Sequence, residues 1–261
     1  MGHLRLIGTF LRLGLLNELQ YRANFFSSIL EAAISLSVSL GGLGLIYRHT
    51  DSLAGWGASE LLVLLGIYYI MGGFIQTFVQ PSMEQLLRDV RNGTLDFTLT
   101  KPVDAQMLVS IRSFAVWKLV NVLLGAAILS VALVQVGRAV GPAQAAAFVL
   151  TLFCGAVIVY SFWLMLATVA FWFIRIDNIL VIFQTMYEAG RWPVGIYPPV
   201  LRLLLTFLVP VAFAVTVPAE ALTGRATPLT LVGAVLLAAA IFGAARWFWG
   251  FGVRNYSGAS A

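Results

Sequence analysis

Residues 60–80 read ELLVLLGIYYIMGGFIQTFVQ, and residues 81–92 continue as PSMEQLLRDVRN. After Glu60 the first string carries no charge, and it is long enough to cross a hydrocarbon core, which takes about 20 helical residues. The second string changes character. Met83, Leu86, Leu87 and Val90 form an apolar stripe, while Glu84, Arg88, Asp89 and Arg91 occupy the rest of the wheel. A membrane-length segment therefore runs into an amphipathic helix that lies outside it. The rest of the 261-residue chain agrees: 60% of residues are hydrophobic and 10% charged, against about 25% charged in a soluble domain. The mean hydropathy is +0.92. A soluble enzyme, a disordered chain and a collagen-like fibre are excluded. The fold class is an all-α polytopic membrane protein.

Four further apolar runs, 25–47, 114–136, 145–174 and 229–250, are long enough to cross. Residues 177–192 are short for a crossing, and 198–217 are interrupted by Pro210 and closed by Pro218. Backbone at membrane depth that is not continuous helix has to be buried in protein or line a cavity. The pair is therefore read as a fifth crossing followed by a re-entrant segment over 193–225, giving six transmembrane helices in one domain, 25–261. The chain has sixteen basic residues. With the N-terminus inside, only Arg48, Arg138, Arg191, Arg202 and Arg225 fall outside, leaving eleven on the cytoplasmic side. The positive-inside bias favours that orientation, with both termini cytoplasmic. It also accounts for the net charge of +5 without invoking nucleic acid.

Before the first span, Leu4, Ile7, Leu11 and Leu15 recur at helical spacing among Arg5, Arg12, Glu18 and Arg22. This pattern predicts an interfacial helix over residues 1–24, retained rather than cleaved. In the loop 81–112, Pro81 is expected to end or bend the second span, and Asn92-Gly93 to stop the amphipathic helix. Leu95, Phe97 and Leu99 alternate with polar residues, an extended pattern, and Asp104 is placed to cap the helix that becomes the third span. The amphipathic helix reads either as a surface helix or as a docking element for a soluble partner.

Polar residues within the spans fall into stripes. Gly66, Tyr69, Gly73, Gln76 and Gln80 share one face of the second span, and Asp177, Val181, Gln184, Glu188 and Arg191 one face of the fifth. Helix packing explains such stripes, and so does a lined pathway or a subunit seam. Three charges stand within or at the edge of the apolar segments. Glu31 could pair with a charge on a neighbouring helix, for instance Lys118 of the third span, while Glu188 and Arg191, three residues apart, either pair or mark the outer end of the fifth span. His3 and His49 make no metal site, Cys154 is the single cysteine, and G-x-x-x-x-G-K-[ST], H-E-x-x-H and G-x-S-x-G are absent. No catalytic residue, cofactor site or metal site is expected in the chain, and transport or assembly is the economical function.

Several strings carry a resemblance: YRANFF at 21–26, RNGTLDFTLTKP at 91–102, RWPVGIY at 191–197, VPVAFAVTVPAE at 209–220 and FGVRNYSGAS at 251–260. Their order over essentially the whole chain resembles the type-2 permease family of ABC exporters, and more closely its drug- or viologen-export-type branch. The resemblance implies a permease subunit of a bacterial cytoplasmic-membrane exporter that pairs with a second permease subunit, identical or homologous. A separate ATPase subunit would hold ATP and Mg. It implies that Glu84, Arg88, Asp89 and Arg91 meet that ATPase, and that the second and fifth spans flank the pathway. Tyr69, Gln76, Gln80, Gln184 and Tyr187 would then line it. Two other readings stay open: a proton-coupled exporter using Glu31 or Glu188, and a membrane scaffold.

Overall fold

The structure is a computed structural model that describes residues 22–137, 139–173 and 179–256. The expected interfacial helix up to residue 21, Asp177 and the residues after 256 lie outside the described residues. Helix α1 (Arg22–Tyr47) is followed by α2 (Ala58–Phe74), a π-turn (Ile75–Val79) and α3 (Gln80–Asn92). Short helices α4 (Asp96–Leu99) and α5 (Ala105–Ser110) lead to α6 (Leu119–Val136) and α7 (Pro142–Thr168). Then come α8 (Ile179–Tyr187), α9 (Pro199–Leu203), α10 (Val217–Thr223) and the last long helix, α11 (Pro228–Asn255). Among the described residues five helices are long and apolar enough to cross a membrane, or six if the bent pair Pro199–Leu208 and Ala212–Thr223 forms one span.

Pro81 does not end the second span. Residues Ala58–Asn92 form one 35-residue rod. Proline has no N–H to offer the carbonyl four residues earlier. That carbonyl, of Thr77, instead accepts from the N–H of Ala115 at 3.0 Å, and the π-turn just before Pro81 takes up the misfit. Gly93, at φ 68°, stops α3 as expected from Asn92-Gly93. Residues 96–99 are helical rather than extended, with the Thr98 and Leu99 N–H groups both donating to the Leu95 carbonyl. Three alternating apolar residues with no strand beside them among the described residues cannot hold an extended ladder, and burying Leu95 and Thr98 requires a turn. Asp104 does cap a helix, accepting from the Met107 N–H at 3.0 Å, but that helix is the separate α5 and not the third span.

The rod is the centre of the molecule. Its α2 part packs along α6, while α7 packs against α10 and α11. Gly66 and Gly125 make the α2–α6 contact close: a Cβ on Gly125 would lie 2.6 Å from the Gly66 carbonyl oxygen. At the Glu60 end of the rod, Arg225 meets Glu60 at 2.5 Å and lies 4.7 Å over the Trp56 ring. At the Asp89 end, Arg246 of α11 is bound to Asp104. Between 179 and 223 no single helix is long enough to cross. The chain breaks at Trp192-Pro193 and again at Val209–Val211, where the flanking helices bend by 77°. Val209 and Val211 are buried in protein, as non-helical backbone at this depth demands.

Candidate functional site

The two polar stripes converge. A cleft of about 180 Å³ is lined by Tyr68, Tyr69, Gly73 and Gln76 of the rod, Glu31 and Ser35 of α1 and Asn121 of α6, with Gln184, Tyr187, Glu188 and Arg191 opposite them. Of the expected pathway residues, Tyr69, Gln76, Gln184 and Tyr187 meet here, together with all three singled-out charges. Gln80 lies one step farther along, in a second cleft of about 160 Å³ that also takes in Glu84, Arg88, Arg91 and again Gln184. The two clefts therefore abut at Gln184, and the second reaches the amphipathic helix α3.

Within the first cleft the side chains are held from several elements. The Tyr187 hydroxyl donates to the Tyr68 carbonyl at 2.8 Å, and the two rings stack at 5.0 Å. The Tyr69 hydroxyl donates to Ser35 Oγ at 3.0 Å, tying the rod to α1. Asn121 Nδ2 donates to Gln76 Oε1 at 3.0 Å, tying it to α6. Sequence reasoning missed Asn121 and Tyr68. An amide in an otherwise apolar span was the available signal for Asn121, whereas Tyr68 stands one position off the stripe.

The charges are placed differently from one another. Glu31 is paired with Lys118 at 2.6 Å, the partner foreseen for it. Arg191 does not pair with Glu188. Its Nε donates to the Tyr68 hydroxyl at 3.2 Å and its guanidinium lies 5.5 Å from the centre of that ring. Tyr68 is ten residues into α2, about 15 Å from its start, so Arg191 sits near mid-bundle and not at the end of a span. Glu188 is exposed to the cleft and has no hydrogen bond or ion pair from its side chain among the described residues.

On α3, Arg88 and Arg91 are exposed and Glu84 is half-exposed beside Arg88, at 3.9 Å. Asp89 departs from the expected polar face: it is 3% exposed and turned inward. Its carboxylate is bound by Arg112 and accepts from Gln85 Nε2 at 2.9 Å and Thr94 Oγ1 at 3.1 Å. On the wheel Asp89 flanks the apolar stripe just as Arg91 does. What draws it inward is Arg112, 23 residues downstream, which also donates to Thr98 Oγ1. Phe97, on the turn beyond α3, is 73% exposed. Neither Asp104 nor Glu84 belongs to a group of acidic, histidine or cysteine residues that could hold a metal, and no such group exists among the described residues.

The geometry is that of a membrane bundle with a polar cleft at mid-depth and a braced polar loop at one end. Among curated proteins none matches the chain. The family described as ABC-2 family transporter protein matches residues 33–260, which includes every lining residue of the first cleft except Glu31 and Ala32. The chain belongs to the ABC-2 transporter family, as a multi-pass membrane component of an ABC transporter.

Proposed function

We propose that the chain is the permease subunit of an ATP-driven exporter in a bacterial cytoplasmic membrane, with both termini in the cytoplasm. Two such subunits, identical or homologous, enclose the pathway, and a separate ATPase subunit binds ATP and Mg below each. One observation carries the reading: a mid-depth cleft gathers the polar faces of two spans and adjoins, through Gln184, a second cleft beside α3. Charged and amide groups at that depth cost about 2.5–3.5 kcal/mol per charge unless they face a cavity or a partner. A second subunit closing over the exposed Gln184 and Glu188 would turn the open cleft into an enclosed path. The ATPase meets Glu84, Arg88, Arg91 and the projecting Phe97, with Asp89 acting inside the loop instead. Its closure shifts the Asp89 end of the rod and opens the cleft alternately to the two sides, a rigid-body switch.

Affinity capture of the tagged chain from mild detergent tests this reading. The expected result is an ATPase subunit in stoichiometric amount, with ATP hydrolysis in the eluate. An eluate without ATPase from several gentle detergents rejects it. A purified chain that transports alone, driven by a proton gradient, would favour the proton-coupled reading, for which Glu188, with no ion pair among the described residues, is the better carrier than the paired Glu31. The cleft assignment makes its own prediction. Gln76→Leu removes the bond from Asn121, on average about 0.6 kcal/mol and at most about 1.7 kcal/mol within a membrane bundle, so assembly should survive. Stimulation of ATP hydrolysis by transported compounds should change, and an identical stimulation profile would leave Gln76 with a packing role only.

A further inference from the structure

Helix α11 has 28 residues, and at 1.5 Å per residue it is about 42 Å long. A hydrocarbon core is about 30 Å thick, so with Pro228 at one boundary the other falls near Arg246 and Trp247. The turns from there to Asn255 stand in the headgroup layer. At that level a groove of about 440 Å³ lies between α11 and the start of α5, lined by Asp104, Gln106, Arg246, Trp247, Gly250 and Arg254. Its floor is Gly250, where a Cβ would find nothing within 4 Å.

The charges in the groove are unequally engaged. Arg246 is bound to Asp104 and also donates to Gln106 Oε1 at 2.9 Å. The hydrogen bond from Arg246 holds the Asp104 carboxyl below the usual carboxylate range, so that pair stays ionised and mutually neutralised at neutral pH. Arg254 is exposed and has no hydrogen bond or ion pair among the described residues, leaving the groove one net positive charge. On the membrane side, Trp247 is 70% exposed and stacks on Phe251 at 5.9 Å. Leu236 and Phe242 on the same helix are exposed as well, so the groove adjoins a surface suited to lipid chains.

We propose that this groove binds the headgroup of an anionic phospholipid, its phosphodiester on Arg254 and an acyl chain along Trp247 and Phe251. A free cation at headgroup depth selects negative charge, and the aromatic pair at the hydrocarbon boundary selects a lipid over a soluble anion. The bound lipid bridges α5 and α11 and so stiffens the loop that, on the proposed function, carries the ATPase contact.

Native mass spectrometry of the chain purified in mild detergent with equal phosphatidylglycerol and phosphatidylcholine tests the site. One phosphatidylglycerol per chain should be retained in preference to phosphatidylcholine. Arg254→Gln should weaken retention about fivefold, the worth of one arginine near a charged surface, and Arg254→Lys should largely preserve it. Gly250→Leu should abolish retention by filling the groove, with helix content by circular dichroism unchanged because the added side chain starts in open space. Equal retention of the two lipids, or unchanged phosphatidylglycerol in both Arg254→Gln and Gly250→Leu, overturns the proposal. So does displacement of the lipid by millimolar inorganic phosphate, which would make a soluble anion the occupant.

Discussion

Gly125→Val is expected to leave no folded protein in detergent. A Cβ at Gly125 would stand 2.6 Å from both the Gly66 carbonyl oxygen and the Ile70 backbone nitrogen. These are backbone atoms of a buried helix, so no side chain can swing away to make room. The same seam is tight along its length: a Cβ on Gly66 would be 2.9 Å from the Leu129 nitrogen, and one on Gly73 would be 2.7 Å from the Val122 nitrogen. Overpacking that a core can absorb costs about 1–3 kcal/mol. Here relief requires moving α6 off the rod, which also breaks the Asn121–Gln76 bond and opens the cleft wall. The cost should approach the whole stability of a domain, about 5–15 kcal/mol. The measurement is size-exclusion elution and thermal unfolding in a mild detergent, with Gly44→Val on α1 as the control, since nothing lies within 4 Å of a Cβ there. A Gly125→Val protein that elutes and melts like the control would mean that the two backbones do not touch.

That seam also shows what the sequence could and could not disclose. The spacing of Gly66, Tyr69, Gly73, Gln76 and Gln80 places them on one helix face, and packing and lining are rival explanations of such a face. In the structure both hold at once. Gly66 and Gly73 admit the α6 backbone, while Tyr69 and Gln76, at the edge of that contact, turn toward the cleft. Periodicity gives the face but not the split, because the split depends on which edge of that face the neighbouring helix covers. The long spans and the stop at Gly93 were legible because hydropathy and a left-handed glycine act locally. Pro81 was not, since its fate rests on Ala115 supplying an N–H from 34 residues away. Asp89 and Arg191 failed for the same reason: their partners, Arg112 and Tyr68, belong to other elements. The depth of Arg191 depends on how far the short α8 rises before the chain breaks, and no local pattern encodes that.

Arg88→Glu together with Arg91→Glu should abolish capture of the ATPase and ATP-driven transport while leaving the permease folded. Both residues are exposed near the end of the rod, where substitutions change stability by about 0.5 kcal/mol or less. The reversal does set two acidic residues, at 84 and 88, one turn apart, a penalty of a few tenths of a kcal/mol, about 0.2–0.5. At an interface the balance is different. Setting like charges against a complementary surface costs several kcal/mol, about a hundredfold or more in affinity. Phe97→Ala should weaken the same capture, because an exposed aromatic anchor commonly carries about 2 kcal/mol or more of a binding interface. The readouts are the ratio of ATPase to permease after affinity capture and ATP-dependent transport in vesicles. Normal capture with full transport in the double reversal would remove α3 from the contact, whatever the cleft does. Transport should be lost even though the lining of the mid-depth cleft is untouched, because Arg88 and Gln76 stand on one continuous helix. Twelve residues, about 18 Å of helix, separate them, so a tilt imposed at the arginines displaces the cleft wall with no hinge between them except the π-turn at Ile75–Val79. On the proposed coupling through α3, ATP binding has no lever on the cleft once that contact is lost.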